Sequence, residues 1–186
     1  MKTKFINSKG FTLVELLVVV GTFVIIVVTT VGLFVLMISH QRRILAEQEL
    51  LSQASYATEY ISRALRMAAK ATDATCIEIG KNYETTESGQ GIKFINSSNG
   101  NICQEFFLDS GSGRIKEIKS GGIAVPLTSE SLIINKFNVA VYGDDILGDQ
   151  TQPRVAIALD IESQGKDFVL KKQMQITVSQ RNLDEE

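Results

Sequence analysis

A carboxylate, Glu15, stands in SKGFTLVELLVVV, residues 8 to 20, within a run that is otherwise apolar. An ionised carboxylate at bilayer depth costs roughly 2.5–3.5 kcal/mol on insertion scales. Such a residue calls for a cation or a hydrogen-bond donor beside it. The two cysteines, Cys76 and Cys103, are an even pair that an oxidising compartment would join. The bridge would add roughly 3 kcal/mol by the chain-entropy argument. The alternative is two small buried hydrophobes. YGDDILGDQTQ gathers Asp144, Asp145 and Asp149, oxygen donors of the kind calcium takes. It lacks EF-hand spacing, so a solvated loop is the reading.

The rest of the chemical inventory is thin. The one histidine, His40, is followed by Arg42 and Arg43, and head-group contact or solvation accounts for it. No second histidine is available for a Ser/His/Asp arrangement, and no glycine loop has P-loop spacing. Two cysteines and one histidine make a metal site unexpected. No cofactor is implied, no residue is nominated as catalytic, and an enzyme is not expected.

The elements that would position these residues fall into two classes. From Leu16 to Ile38 the sequence has 23 residues without a charge. At ~1.5 Å per residue that helix is about 35 Å long, enough to cross a hydrocarbon core of roughly 30 Å. A secretory signal has an apolar region of about 7–15 residues and then a small-residue cleavage site. Here the chain continues SHQRRILAEQEL, so a retained transmembrane helix is expected. Lys2, Lys4 and Lys9 precede it and Arg42 and Arg43 follow, which favours a cytoplasmic N-terminus and an exported head. Without residues 1–10 the formal charge goes from −2 to −5. The exported part is mildly acidic, and no basic patch points to nucleic acid.

KGFTLVELLVVVGTFVIIVV, residues 9 to 28, resembles the prepilin-type signal of the type IV filament superfamily. Type IV pilins, competence pilins and type II secretion pseudopilins share a basic leader ending in Gly, then Phe, then Glu at the fifth position. Gly10, Phe11 and Glu15 stand at those places. The resemblance implies a minor pilin or pseudopilin, cut by prepilin peptidase between Gly10 and Phe11 and N-methylated on Phe11. It also implies assembly with other pilin or pseudopilin subunits through an inner-membrane platform, from the lipid bilayer into a filament or to the cell surface. In a helix Phe11 and Glu15 share a face, and Glu15 lies in the first turn, where the macrodipole favours a negative charge. The implied partner of Glu15 is an amine created by cleavage, its own or a neighbouring subunit's. ISRALRMA also resembles a segment of larger minor pilins and pseudopilins. The chain departs from many pilins in lacking a proline about twenty residues into the mature helix; Gly32, after Thr29 and Thr30, stands there. The alternative function is a single-pass, membrane-anchored extracytoplasmic binding or sensor domain.

Beyond Ile38 no proline occurs before Pro126, and residues 42–71 are rich in helix formers. Ile44, Leu51, Ala54, Ile61, Leu65 and Ala68 recur at spacings of three, four or seven, which predicts a packing stripe. One helix is therefore expected from Phe11 to Ala71, about 90 Å long at ~1.5 Å per residue. From Thr72 the period changes to two. TCIEIG, GIKFIN, ICQEFFLD, RIKEIK, SLIINKFNVAVYG, RVAIALDIES and FVLKKQMQITVSQ read as strands separated by SSNGN, DSGSG and SGG turns. The expected fold is α+β: a long transmembrane-to-amphipathic helix packed on a mostly antiparallel, pilin-like β head. Its parts are a leader (1–10), a transmembrane helix (11–38), an amphipathic helix (39–71), a head (72–180) and a polar tail (181–186).

Overall fold

The computed structural model describes residues 10–144, 151–164 and 169–181, except for the side chain of Asn99. The chain divides into two compact units, Met1–Ile44 and Leu45–Glu186. One helix, α1 (Leu13–Arg66), supplies residues to both.

In the first unit the side chains from Phe11 to Met37 are exposed, and nearly all are aliphatic or aromatic. Among the described residues this is one helix long and apolar enough to cross a membrane. Its threonines from Thr22 onward are compatible with hydrocarbon because they bond locally. The Thr22 hydroxyl donates to the Val18 and Val19 carbonyls, each 3.0 Å away. Thr29 donates to Ile25 and Ile26, and Thr30 to Ile26 at 2.8 Å. Backbone groups in lipid must be satisfied within the segment, which holds this β-branched sequence helical despite its modest propensity.

In the second unit, the helix buries Leu50, Ala54, Ala57, Thr58, Ile61 and Leu65. These follow steps of three and four and face one core. The stripe read from the sequence was displaced in its first two members: Ile44 is 54% exposed and Leu51 37%. Leu50 occupies the inward phase instead.

Helix α1 ends at Arg66, five residues before the expected Ala71. The cause is tertiary. The Tyr83 hydroxyl donates to the Leu65 carbonyl (2.7 Å), the Arg181 N–H to the Arg66 carbonyl (2.9 Å), and both Ser97 N–H and Oγ to the Met67 carbonyl. Carbonyls that another helical turn would have used are taken by the head. The next residues form a short strand, β1 (Ala68–Ala69), although alanine is the best helix former.

Nine strands occur among the described residues: β1, β2 (Tyr83–Thr86), β3 (Gly91–Asn96), β4 (Ile102–Asp109), β5 (Arg114–Lys119), β6 (Val125–Pro126), β7 (Leu132–Tyr142), β8 (Arg154–Ser163) and β9 (Lys171–Ser179). The first sheet has the order β1-β3-β4-β5-β6, with β2 beside β1 along the same edge of β3; the second is β7-β8-β9. Every pairing is antiparallel. The α+β layout thus holds. Phe94, Phe106 and Ile115 from the first sheet join Phe137, Val155, Ile157 and Ile161 from the second, and Ile61 and Leu65 from the helix, in one core.

One expected strand does not form. TCIEIG lies in turns, where Cys76 and Ile77 are both buried and Ile79 is 55% exposed. Two adjacent inward residues cannot belong to a strand of period two. The Ala71 N–H donates to the Lys81 carbonyl and the Gly80 N–H to the Ala71 carbonyl, closing the segment on itself.

The packing phase gives a direct test. Ile61 is fully buried, so Ile61→Ala should lower unfolding free energy by about 2–5 kcal/mol in the detergent-solubilised chain. Leu51→Ala should lose clearly less. Equal losses in chemical denaturation would contradict the observed helix phase.

Candidate functional site

The N-terminal junction is open. Gly10 and Phe11 are exposed, Phe11 at 76%, and they precede the first turn of α1. A methyl group added at Gly10 would meet no described atom within 4 Å, and the backbone there is not in the left-handed region. Neither packing nor conformation of the described chain therefore demands glycine at position 10.

Glu15 is exposed in that first turn. Its N–H donates to the Thr12 hydroxyl at 3.3 Å, and the Leu16 N–H donates to the Thr12 carbonyl at 3.1 Å. Thr12 is the N-cap, and T-x-x-E is the spacing of a capping box. This residue was missed in the sequence, although the signal was in plain view. The bond that the structure shows uses the backbone N–H of Glu15, and the carboxylate itself is exposed.

In the head, Cys76 and Cys103 are joined by a disulfide with Cα atoms 5.5 Å apart. Cys76 is buried in the turn segment and Cys103 is half-buried on β4. The bridge ties residues 70–82, which lack strand pairing of their own, to the middle of the first sheet.

Asp144 is committed elsewhere than to a cation. Its Oδ1 accepts from the Asn82 N–H (2.8 Å) and Asn82 Nδ2 (2.9 Å), and its Oδ2 from the Tyr83 N–H (3.0 Å). Gln180 Nε2 then donates to Asn82 Oδ1 and the Ala68 carbonyl, each at 3.0 Å. The carboxylate clamps the start of β2. Burial, with the Asp144 charge, pushes the Tyr83 phenol well above its ordinary value, so its hydroxyl stays a donor to the helix end. Asp145 and Asp149, the other members of the acidic cluster, lie outside the described residues, as do Lys2, Lys4, Lys9 and positions 182–186. No group of three or more His, Cys, Asp or Glu side chains among the described residues is placed to hold a metal.

A second polar network was not foreseen. Glu117 on β5 points inward beside Phe106, and accepts from the Tyr60 hydroxyl (2.9 Å) and from Gln104 Nε2. Asn96 Nδ2 donates to Gln104 Oε1 at 2.6 Å. Lys119 Nζ donates to the Tyr60 hydroxyl at 3.0 Å and lies 3.2 Å from Glu117 Oε1. The Tyr60 hydroxyl and then the Glu117 carboxylate raise the Lys119 pKa. The signal in RIKEIK was its spacing: Ile115 and Ile118 are three apart, so a strand cannot turn both inward. Ile115 is buried and Glu117 shares its face. The network pins the helix to the sheet.

No family model, curated protein or solved structure matches this chain.

For the cysteines, peptide mapping without reductant should find the Cys76 and Cys103 peptides linked in protein isolated with its thiols blocked. Cys103→Ser should lower stability by about 3 kcal/mol, the loop-closure entropy of a bridge spanning 27 positions. An unchanged denaturation midpoint, or free thiols at both positions, would contradict the bridge.

Proposed function

We propose that this chain is a structural subunit, a minor pilin or pseudopilin, of a type IV pilus-like or type II secretion filament. It is made as a single-pass inner-membrane protein with its N-terminus in the cytoplasm and its head outside. Prepilin peptidase cuts between Gly10 and Phe11 and methylates the new amine. Other subunits and an inner-membrane platform then draw it into a filament. The chain catalyses nothing itself.

The observation that carries this reading is the open junction. Gly10 is glycine for no reason found in the described chain, beside an exposed Phe11 and five residues before the exposed Glu15. A protease that needs a small residue at its cleavage point and an extended, accessible backbone supplies the reason. Glu15 follows at one helical turn from Phe11, the separation at which a new amine and a carboxylate meet.

The second reading, an anchored binding or sensor head, is favoured by one observation. The Thr12 hydroxyl caps the Glu15 N–H, and T-x-x-E is the spacing at which a Glu side chain can also reach back to the Thr12 N–H in an ordinary helix start. Two substitutions separate the readings. Glu15→Gln keeps a capping-box residue and removes the charge, whereas Glu15→Val removes both. In a filament subunit both variants should reach the membrane at least as well as wild type, since an insertion penalty of roughly 2.5–3.5 kcal/mol is relieved. Both should be depleted from sheared filaments by about tenfold or more, because an amine buried without its partner is strongly unfavourable. If only Glu15→Val is impaired, capping is the role. Processing is scored separately: mass spectrometry of native membranes should find N-methylated Phe11 as the first residue, and an intact leader in assembled material would overturn the reading.

A further inference from the structure

We propose that the Cys76–Cys103 bridge is an exchangeable site: an external thiolate attacks Cys103 Sγ, forms a mixed disulfide there, and so releases residues 70–82 from the first sheet. The proposal goes beyond the filament reading and does not rest on it, since it needs only the folded head and a thiol.

The two sulfurs differ in access. Cys76 is buried, at 8% exposure, whereas Cys103 on β4 is half-buried. Cys103 also lines an open groove of about 600 Å³, with Thr75, Lys93, Glu105, Ile118 and Gly121 around it. Cys76 is not among the lining residues. Thiol–disulfide exchange is a displacement along the S–S axis, so access decides which sulfur is attacked. The groove therefore brings a thiolate to Cys103 and makes Cys76 the leaving group. Lys93 and Glu105 are register partners across β3 and β4 and put one charge of each sign at the groove. The lysine offsets the glutamate, so an anionic nucleophile is not turned away.

The exchange balances with two thiols. The first thiolate bonds to Cys103 Sγ, the S–S bond breaks, and its electron pair leaves with Cys76 Sγ, which takes a proton from water. A second thiolate attacks the external sulfur of the mixed disulfide and frees Cys103. The bridge is reduced, and the two thiols are oxidised to one disulfide. The structural consequence is local. Residues 70–82 bond largely among themselves: the Ala71 N–H donates to the Lys81 carbonyl at 2.8 Å, and the Thr75 N–H to Asp73 Oδ1 at 3.0 Å. Ala71, Cys76 and Ile77 form a cluster of their own, packed with Ile95 and Cys103. The main core brackets the segment with Ala68 and Tyr83 and takes no residue from it. Opening the bridge thus frees this segment and leaves the rest of the head folded.

The test treats the full chain in detergent micelles with glutathione and quenches at early times with N-ethylmaleimide. Peptide mass spectrometry should find glutathione on Cys103 and maleimide on Cys76, in about tenfold excess over the reverse arrangement. A dithiol oxidoreductase whose resolving cysteine is replaced by serine is run in parallel. Capture of glutathione alone marks the source as a small thiol, and capture of the protein as well marks it as an oxidoreductase, with Cys103 the acceptor in both. After full reduction, amide exchange in residues 70–82 should quicken by about tenfold or more, while β5, β7, β8 and helix positions 50–65 exchange as before. The variant carrying both Cys76→Ser and Cys103→Ser should show the same fast exchange without any thiol. Adducts on Cys76 as often as on Cys103, reduction only where denaturant unfolds the whole head, or unchanged exchange in residues 70–82 after reduction would overturn the proposal.

Discussion

The carbonyl groups at the end of α1 organise the head. A helix leaves its last carbonyls without intrahelical donors, and in a buried location each one must find another. Here three consecutive carbonyls, of Leu65, Arg66 and Met67, are met by Tyr83, Arg181 and Ser97, from three separate parts of the chain. Tyr83 opens β2, Ser97 follows β3, and Arg181 follows β9. The helix end is thus where both sheets are tied to one element. Asp144 holds the start of β2 in place, and Gln180 links that point to Ala68, so the cap is supported from behind.

The same helix answers to two solvents. In the first unit the described backbone bonds to itself and to threonine and serine hydroxyls of the same helix, and its side chains are apolar on almost every side. In the second, only one face is apolar, and its polar neighbours reach across to the sheet, as Tyr60 does to Glu117. Glu117 is inward-facing yet fully engaged, which is the condition under which a buried carboxylate is tolerated. The disulfide serves a related end. Residues 70–82 contribute Ala71, Cys76 and Ile77 to a small cluster of their own, too few apolar groups to order a segment of that length by burial. The covalent bridge to β4 supplies the constraint.

Much of this was legible from residue patterns. The transmembrane segment was set by 23 uncharged residues, which no tertiary contact could have disguised. GIKFIN, ICQEFFLD, RIKEIK and RVAIALDIES became strands at those boundaries, because alternation on a half-buried sheet leaves a clear period. TCIEIG has the same alternation and failed, because a disulfide and local turns fix Cys76 and Ile77 inward together. YETT was missed as β2: only Tyr83 is buried, and pairing with β3 rather than burial makes it a strand. At the N-terminus, Gly10, Phe11 and Glu15 stood out as a motif, whereas Thr12 did not until its hydroxyl was seen against the Glu15 N–H.

The sequence by itself determined the solvent of each part: apolar run, amphipathic stretch and alternating strands follow from transfer free energies that act residue by residue. It also placed Glu15, Thr22 and Thr29 at fixed spacing, since helical geometry needs no partner to define a face. Only the tertiary structure decided where α1 stops, because alanines 68 and 69 would continue a helix by propensity and are held as a strand by Asn96 and Ile95. It alone turned Glu117 inward and Ile118 outward, since a strand of period two can bury one or the other and the waiting Tyr60 and Gln104 settle which. Long-range hydrogen bonds made those choices, and they join residues too far apart for any local pattern to connect.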